Sequence, residues 1–414
     1  MCGKKLHYGW VVIFCGLLVT IGAHGFGRMS YTLILPAMKD GLQFNYTQLG
    51  LIGTGNFIGY LLMALIGGAL AARFGTRMVI TIALAFMGIT MVLTGLAQSF
   101  EMAFSMRLLT GLGNGAAYGP AMALGSIWFA TSRRGFATGI VSAGIGVGTM
   151  IASLIIPLIL NHYGVEGWRY AWQYLGAAML LIAILAGLFI RSRPEQMGLR
   201  QVGESGQPLT QIPSGTAAKA LEWGRVYKVK AVWYLGLVYF MYGFSYVIYM
   251  TFFKAYLVKE ISINPPVADG LWALVGGLSI FCGIIWGGIS DRLGRGRGAA
   301  LAYLTLTVSY LLFALVKAPW GYTISAVLFG LSAWSIPTIM AAASGDLVGP
   351  KLAPAGLGFV TLFFGTGQAL GPWIGGLLSD LTRGFSIPFL LATVVSLIGG
   401  LMALRFKIPD KKTA

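Results

Sequence analysis

Acidic residues are scarce in this sequence: 12 Asp and Glu stand against 29 Lys and Arg in 414 residues. All twelve lie in loops, tails or the ends of apolar runs, and none falls mid-run. Proton relays and cation sites inside membranes are usually built on a carboxylate, so this gap argues against a proton-driven exporter of cations. Cysteine is limited to Cys2, Cys15 and Cys282, scattered without metal-ligand spacing, which implies neither a disulfide framework nor a zinc site. No glycine-rich loop ends in Lys-Ser or Lys-Thr, so ATP is not expected to drive the protein. No His/Asp cluster or nucleophile–base pair marks an enzyme, and neither metal nor cofactor is expected. Charge of either sign is low at 10% of residues, against about 25% in soluble domains.

What fills the sequence is apolar: 57% of residues are hydrophobic and the mean hydropathy is +0.79. Twelve candidate spans lie near 8–38, 47–72, 78–98, 101–130, 135–161, 168–190, 230–257, 268–290, 298–317, 320–346, 353–380 and 386–406. Several exceed the ~20 residues needed to cross a bilayer, which predicts tilted helices that continue past the hydrocarbon. The net charge of +17 does not point to nucleic acid. All but eight of the Lys and Arg fall on one side if the N-terminus is cytoplasmic, the exceptions being Arg28, Lys39, Arg107, Arg169, Lys254, Lys259, Lys317 and Arg383. That asymmetry is the positive-inside pattern, and it predicts both termini in the cytoplasm.

A polar segment, 192–229, divides the chain into 1–191 and 230–414, each with six spans. The halves align at an offset of 218–219. Gly25-Phe26 answers to Gly243-Phe244, which sets Arg28 opposite Tyr246 and Tyr31 opposite Tyr249. Gly68 to Gly75 answers to Gly287 to Gly294, Gly111 to Gly330, and Gly146-Val147-Gly148 to Gly365-Thr366-Gly367. The expected fold is therefore all-α and integral to the membrane, with twelve helices in two parallel six-helix pseudo-repeats and a site at their interface.

The loop after span 8 reads Gly287, Asp291, Arg292, Gly294, Arg295, and its counterpart after span 2 keeps Gly68, Arg73 and Gly75 but has Ala72 at the acid position. In these residues the chain resembles the major facilitator superfamily over essentially its whole length. The resemblance implies secondary transport by alternating access, with these loop residues and Arg107 of span 4 forming a conformational latch that leans on Asp291. The small residues Gly111, Gly115 and Gly119 suit close helix packing. The opening His7-Tyr8-Gly9-Trp10 and the segments near Arg193-Pro194-Glu195 and Asp346 resemble the monocarboxylate-porter and oxalate/formate-antiporter branches. The run Gly25-Phe26-Gly27-Arg28 with Tyr31 and Pro36 resembles a poorly characterised bacterial branch. Span 8 departs from the first two branches, carrying no cation before Arg292. The resemblance places the protein in a bacterial inner membrane as a monomer in contact with lipid.

Inside the spans, an ionisable group costs roughly +2.5 to +3.5 kcal/mol, so His24 and Arg28 of span 1 read as functional. A guanidinium without a counter-ion invites an anion, and Arg grips a carboxylate or sulfonate with paired donors. Candidate substrate contacts are His24, Arg28, Tyr31, Asn114, Tyr118, Tyr246, Tyr249 and Gln368. Tyr242, Tyr246 and Tyr249 share helical spacing, which fits a packing face as well as a substrate face. Arg28 and Arg107 each also fit anchoring near the membrane surface by snorkelling. His24, with an ordinary pKa of about 6.5, is the candidate carrier of a co-transported proton. The expected function is transport of a small organic anion, a monocarboxylate in the first instance. Export of neutral or amphiphilic compounds and a non-transporting membrane sensor remain as alternatives.

Overall fold

The computed structural model describes residues 7–203, 228–348 and 352–406. Among these residues the protein is helical throughout, apart from an isolated bridge between Phe129 and Val202. The helices are α1 (Tyr8–Thr20), α2 (Tyr31–Leu42), α3 (Tyr46–Phe74), α4 (Thr76–Gly95), α5 (Phe100–Trp128), α6 (Thr131–Tyr163) and α7 (Gly167–Phe189) in the first half. The second half holds α8 (Lys230–Ala255), α9 (Pro265–Leu293), α10 (Arg295–Leu315), α11 (Pro319–Ser332), α12 (Ser335–Val348), α13 (Ala353–Thr382) and α14 (Ser386–Arg405). A π-helical segment, Ile21–Met29, joins α1 to α2, and a second one, Tyr256–Glu260, extends α8.

Local chemistry sets the ends of these helices. Asn45 accepts from the Gln48 amide while Gln48 reaches back to the Asn45 amide, a reciprocal cap that starts α3. Ser99 caps α5 through the Met102 amide, and Pro265 and Pro319 open α9 and α11, where a missing N–H is harmless. Gly75 and Gly294 adopt φ of 87° and 88° at the matched α3–α4 and α9–α10 corners, a backbone that a side chain would strain.

The outward surface is apolar. Leu158 and Ile284 are 69% and 79% exposed, and Leu62, Ile66, Ile82, Ile89, Leu181 and Leu401 are exposed beside them. Such a surface is stable only against lipid, and with helices long and apolar enough to cross a bilayer it makes this a multi-pass membrane protein. The halves meet along two seams, α3 against α13 and α6 against α9. On the second seam the Gly146 carbonyl oxygen lies 2.9 Å from where a Gly276 Cβ would stand, so backbone touches backbone.

Two expectations shift. Span 10 is not one helix but breaks at Ala333–Trp334 between α11 and α12. Within the 192–229 segment, Val202 exchanges backbone hydrogen bonds with Trp128 and Ala130 at 2.9 and 3.1 Å. The remainder of that segment, 204–227, lies outside the described residues. Of the small residues in α5, Gly111 and Gly115 lie against the backbone of α3, but Gly119 faces open space.

Candidate functional site

The site is organised by the π segment of span 1. Its sequence, Ile-Gly-Ala-His-Gly-Phe-Gly-Arg-Met, carries three glycines, and at Gly25 an added Cβ would stand 2.5 Å from Gly148 Cα on α6. A π-helix disturbs the ordinary i to i+4 pairing, and such segments concentrate at functional sites. Two side chains of α5, seven residues apart on one face, support it. Arg107 Nη1 donates to the Gly27 carbonyl at 2.8 Å, and Asn114 Nδ2 donates to the Ala23 carbonyl at 2.6 Å. Asn56 Nδ2 of α3 in turn donates to the Arg107 carbonyl at 3.0 Å.

Arg28 is the result of this scaffold. It is 6% exposed and lies on the inner face of span 1, so it does not reach the lipid headgroups. Its guanidinium carbon stands 4.3 Å from the Phe57 ring centre and 5.0 Å from that of Tyr60. Its Nη2 donates to the Tyr246 hydroxyl across the seam at 3.2 Å, and its Nε has no partner. The same hydroxyl accepts from Gln368 Nε2 of α13. Five guanidinium N–H groups thus converge with neutral oxygens alone, the Tyr246 hydroxyl and the buried, unpartnered Gln368 amide oxygen. Desolvated cation–π contacts stabilise by ~2 kcal/mol or more, but they supply no lone pair and no negative charge.

Around this centre the sequence-derived candidates divide. His24, buried with Nδ1 unpartnered, packs against Tyr118 at 4.3 Å and Tyr60 at 6.0 Å between ring centres, one turn from Arg28. Tyr118 is half-buried. His24, Arg28, Tyr118, Tyr246 and Gln368 therefore belong to one connected cluster. Three candidates do not point into it. Asn114 is committed to the Ala23 carbonyl. Tyr31 donates to the Leu49 carbonyl at 2.6 Å and lies under the Arg107 guanidinium. Tyr249 shares a 2.8 Å hydrogen bond with Ser325 and packs on Tyr310, Phe313 and Phe329 inside the second half. The expected single stripe divides there: Tyr249 is held by Ser325 and its aromatic neighbours rather than by the Arg28 cluster. Tyr242 stays with Tyr246, their rings stacked 4.6 Å apart.

Arg107 is 1% exposed between the Tyr31 and Trp172 rings, so it is packed in the interior rather than snorkelling, and it lies apart from the loop latch residues. The latch residues lie at the end of the molecule where α1 begins and α14 ends. There Asp291 and Asp346 both accept from Arg295, all three in the second half. Arg73 is exposed over Phe74, Gly68 and Arg292 are exposed, and Gly75 and Gly294 shape the corners. On the first-half side Arg77 donates to the Gly187 carbonyl at 2.7 Å.

Polar ties cross between the halves at the opposite, distal end. Lys259 pairs with Asp40 at 2.7 Å. Asp380 at the end of α13 accepts from the amides of Tyr46 and Thr47 at 3.0 and 2.7 Å and from the Thr47 hydroxyl at 2.6 Å, capping α3 from the other half. Deeper in the seam Thr32 donates to the Met250 carbonyl at 2.6 Å.

The family model of the Major Facilitator Superfamily matches residues 17–344 and, in a second alignment, 235–414. The chain belongs to that superfamily. A probable sulfoacetate transporter of Cupriavidus necator is 26% identical over 407 residues, covering 91% of this chain and 89% of its own. The oxalate:formate antiporter of Oxalobacter formigenes is 23% identical over 397 residues, covering 92% and 87%. Among solved structures, an inward-facing, unoccupied bacterial homologue of the human lysosomal transporter Spinster superposes with a TM-score of 0.79 at 18% identity, covering 98% of each chain. As a superfamily member the protein is a transporter and not an enzyme.

Two groups escaped the sequence reading. Phe57 and Tyr60 sandwich Arg28, and an aromatic pair at i, i+3 in span 2 was the available signal. Asp269 was assigned to a span end, yet it lies inside α9 and forms a 2.5 Å ion pair with Lys254 of α8, the two side chains 4% and 5% exposed.

Proposed function

We propose that this superfamily member moves a small organic anion across the bacterial inner membrane by alternating access of two six-helix halves, twelve spans in all. The observation that carries the reading is the uncompensated charge of Arg28 at the seam. Its guanidinium is buried, its Nε has no partner, and the oxygens beside it, the Tyr246 hydroxyl and the Gln368 amide, are neutral. A carboxylate or sulfonate would supply the missing lone pairs and the missing negative charge together. A monocarboxylate is the simplest such ligand. The names of the relatives, one a sulfoacetate transporter and one an oxalate:formate antiporter, agree with an anionic substrate.

Two cross-seam contacts, Arg28–Tyr246 and Thr32–Met250, join residues 218 apart, and Asp40–Lys259 joins residues 219 apart. Residues near a two-fold axis meet their own counterparts, so these contacts support the two-repeat layout. With the termini cytoplasmic, the distal ties hold the periplasmic side closed, and the state is inward-facing. In this reading His24 and Tyr118 line the anion's path and Asp291, Arg292 and Arg295 serve the opposite, outward-facing state. His24 Nδ1, unpartnered in the cluster, is a second hydrogen-bonding position for the anion and the first candidate for a proton carried with it.

Reconstituted protein tests this. Liposomes loaded with sulfoacetate, oxalate or acetate should exchange at least one of them with external label, and Arg28→Gln should abolish the exchange. Exchange that survives Arg28→Gln, or its absence for every anion in wild type, removes the assignment.

A further inference from the structure

The Lys254–Asp269 pair is unlike the other ion pairs among the described residues. Arg169–Glu166, Lys259–Asp40, Arg295–Asp291, Arg295–Asp346 and Lys317–Glu260 are all partly exposed, whereas here both partners are buried. A buried pair held for stability alone needs further hydrogen bonds to satisfy its remaining lone pairs. Neither Asp269 oxygen has a hydrogen-bond partner beyond the lysine among the described residues. The pair is thus one Asp269 proton away from an uncompensated lysine.

Its place in the fold gives that proton a use. Lys254 follows Tyr246 by eight residues on α8, about 12 Å along the axis. It directly precedes the π segment Tyr256–Glu260, whose Lys259 makes the distal tie to Asp40. One continuous helix therefore carries the anion contact, the buried pair and the gate. Other ionisable groups on neighbouring elements toward this end are committed elsewhere: Asp40 to Lys259, Glu260 to Lys317 and Ser386, Asp380 to α3. Lys39 on α2 lies over the Tyr46 ring, and the neutral groups nearby are Tyr256 on the π segment, Tyr310 on α10, Tyr322 on α11, and His162 with Tyr163 on α6.

We propose that Asp269 is the proton-coupling site of the transporter, with Lys254 as its switchable counter-ion. When the distal side opens, a proton from outside binds one Asp269 oxygen and leaves Lys254 as a free positive charge. That charge favours an anion at Arg28, and the anion favours the proton by the same factor, as linkage requires. The loaded protein then closes with the anion's charge offset by the proton. On the other side the anion leaves, Asp269 releases its proton and the ion pair reforms. This rests on the anion reading above and moves the proton role from His24 to Asp269.

The test reads proton and anion separately in full-length protein reconstituted into liposomes. Sulfoacetate uptake driven by an inward proton gradient should fall by at least about tenfold in Asp269→Asn, within the usual range of coupling. Sulfoacetate–sulfoacetate exchange at equal pH should persist in that variant. His24→Gln should retain its dependence on the gradient. The charge-balanced double variant Lys254→Met/Asp269→Asn should exchange but not accumulate, whereas a merely structural pair predicts that it accumulates like wild type. Gradient-driven uptake persisting in Asp269→Asn, or recovered in the double variant, overturns the proposal. If wild type exchanges oxalate or acetate but not sulfoacetate, that anion takes its place in these assays; if it exchanges none of the three, the anion reading is what has failed, and the carboxyl is read without substrate. Infrared titration must then show one buried carboxyl that reversibly gains a proton in wild type and is missing from Asp269→Asn; a carboxyl ionised throughout overturns the proposal.

Discussion

Arg28 Nη2 donates to the Tyr246 hydroxyl at 3.2 Å, and the two residues are 218 apart in the chain, the offset that aligns its two halves. The contact joins a cation in one half to a neutral acceptor at the matched position of the other. A neutral phenol oxygen is thus the acceptor that faces the buried guanidinium.

Arg28→Lys keeps the charge but loses the planar fork, so binding of a carboxylate or sulfonate should weaken by about 1.5–3 kcal/mol, the range for one charge-assisted hydrogen bond. Tyr246→Phe should weaken it less, because Gln368 Nε2 is freed to donate. Titration calorimetry with the transported anion gives both values.

Tyr249→Phe should leave transport near wild type. Its hydroxyl bonds Ser325 in the interior of the second half, so the change should cost about 1 kcal/mol of stability and little affinity. A large loss of affinity in this variant would return Tyr249 to the site.

Arg107→Met removes the donor from the Gly27 carbonyl and the cation between Tyr31 and Trp172. An orphaned buried carbonyl costs ~1–3 kcal/mol, so thermal stability and anion affinity should fall together. Asn114→Leu should do the same through the Ala23 carbonyl. Thermal unfolding and binding of the same samples check both.

Asp380→Ala strips three hydrogen bonds from the start of α3 and loosens the distal closure. The population should shift toward the state open at that end. Spin labels at Gln98 and Asn264, exposed on the two halves there, should report a longer distance in Asp380→Ala than in the parent. An unchanged distribution would mean that the clamp does not set the equilibrium.

Much of this was legible from the sequence. A charge in an apolar run stands out at any depth, so Arg28 and His24 were visible, and matched glycines placed Arg28 opposite Tyr246. Geometry that depends on side-chain reach was not. Nothing in spacing shows that Arg107 and Asn114 turn inward to carry the carbonyls of span 1. Nor does it show that Tyr249 leaves the face of Tyr246 while Tyr242 keeps it. Lys254 and Asp269 looked like two separate span-end charges, 15 residues apart across a loop. Only the crossing of α8 and α9 buries them as a pair.

The central claim, an anion held by Arg28 at the seam, is tested most directly by thermal stabilisation of purified protein against small carboxylates and sulfonates, in wild type and Arg28→Gln. A ligand at a hundred times its Kd stabilises by about 2.7 kcal/mol, so even weak binders register at high concentration. The account predicts at least one anion that raises the melting temperature of wild type and leaves Arg28→Gln unchanged. Equal stabilisation of both proteins, or stabilisation by uncharged hydrophobic compounds alone, would contradict it.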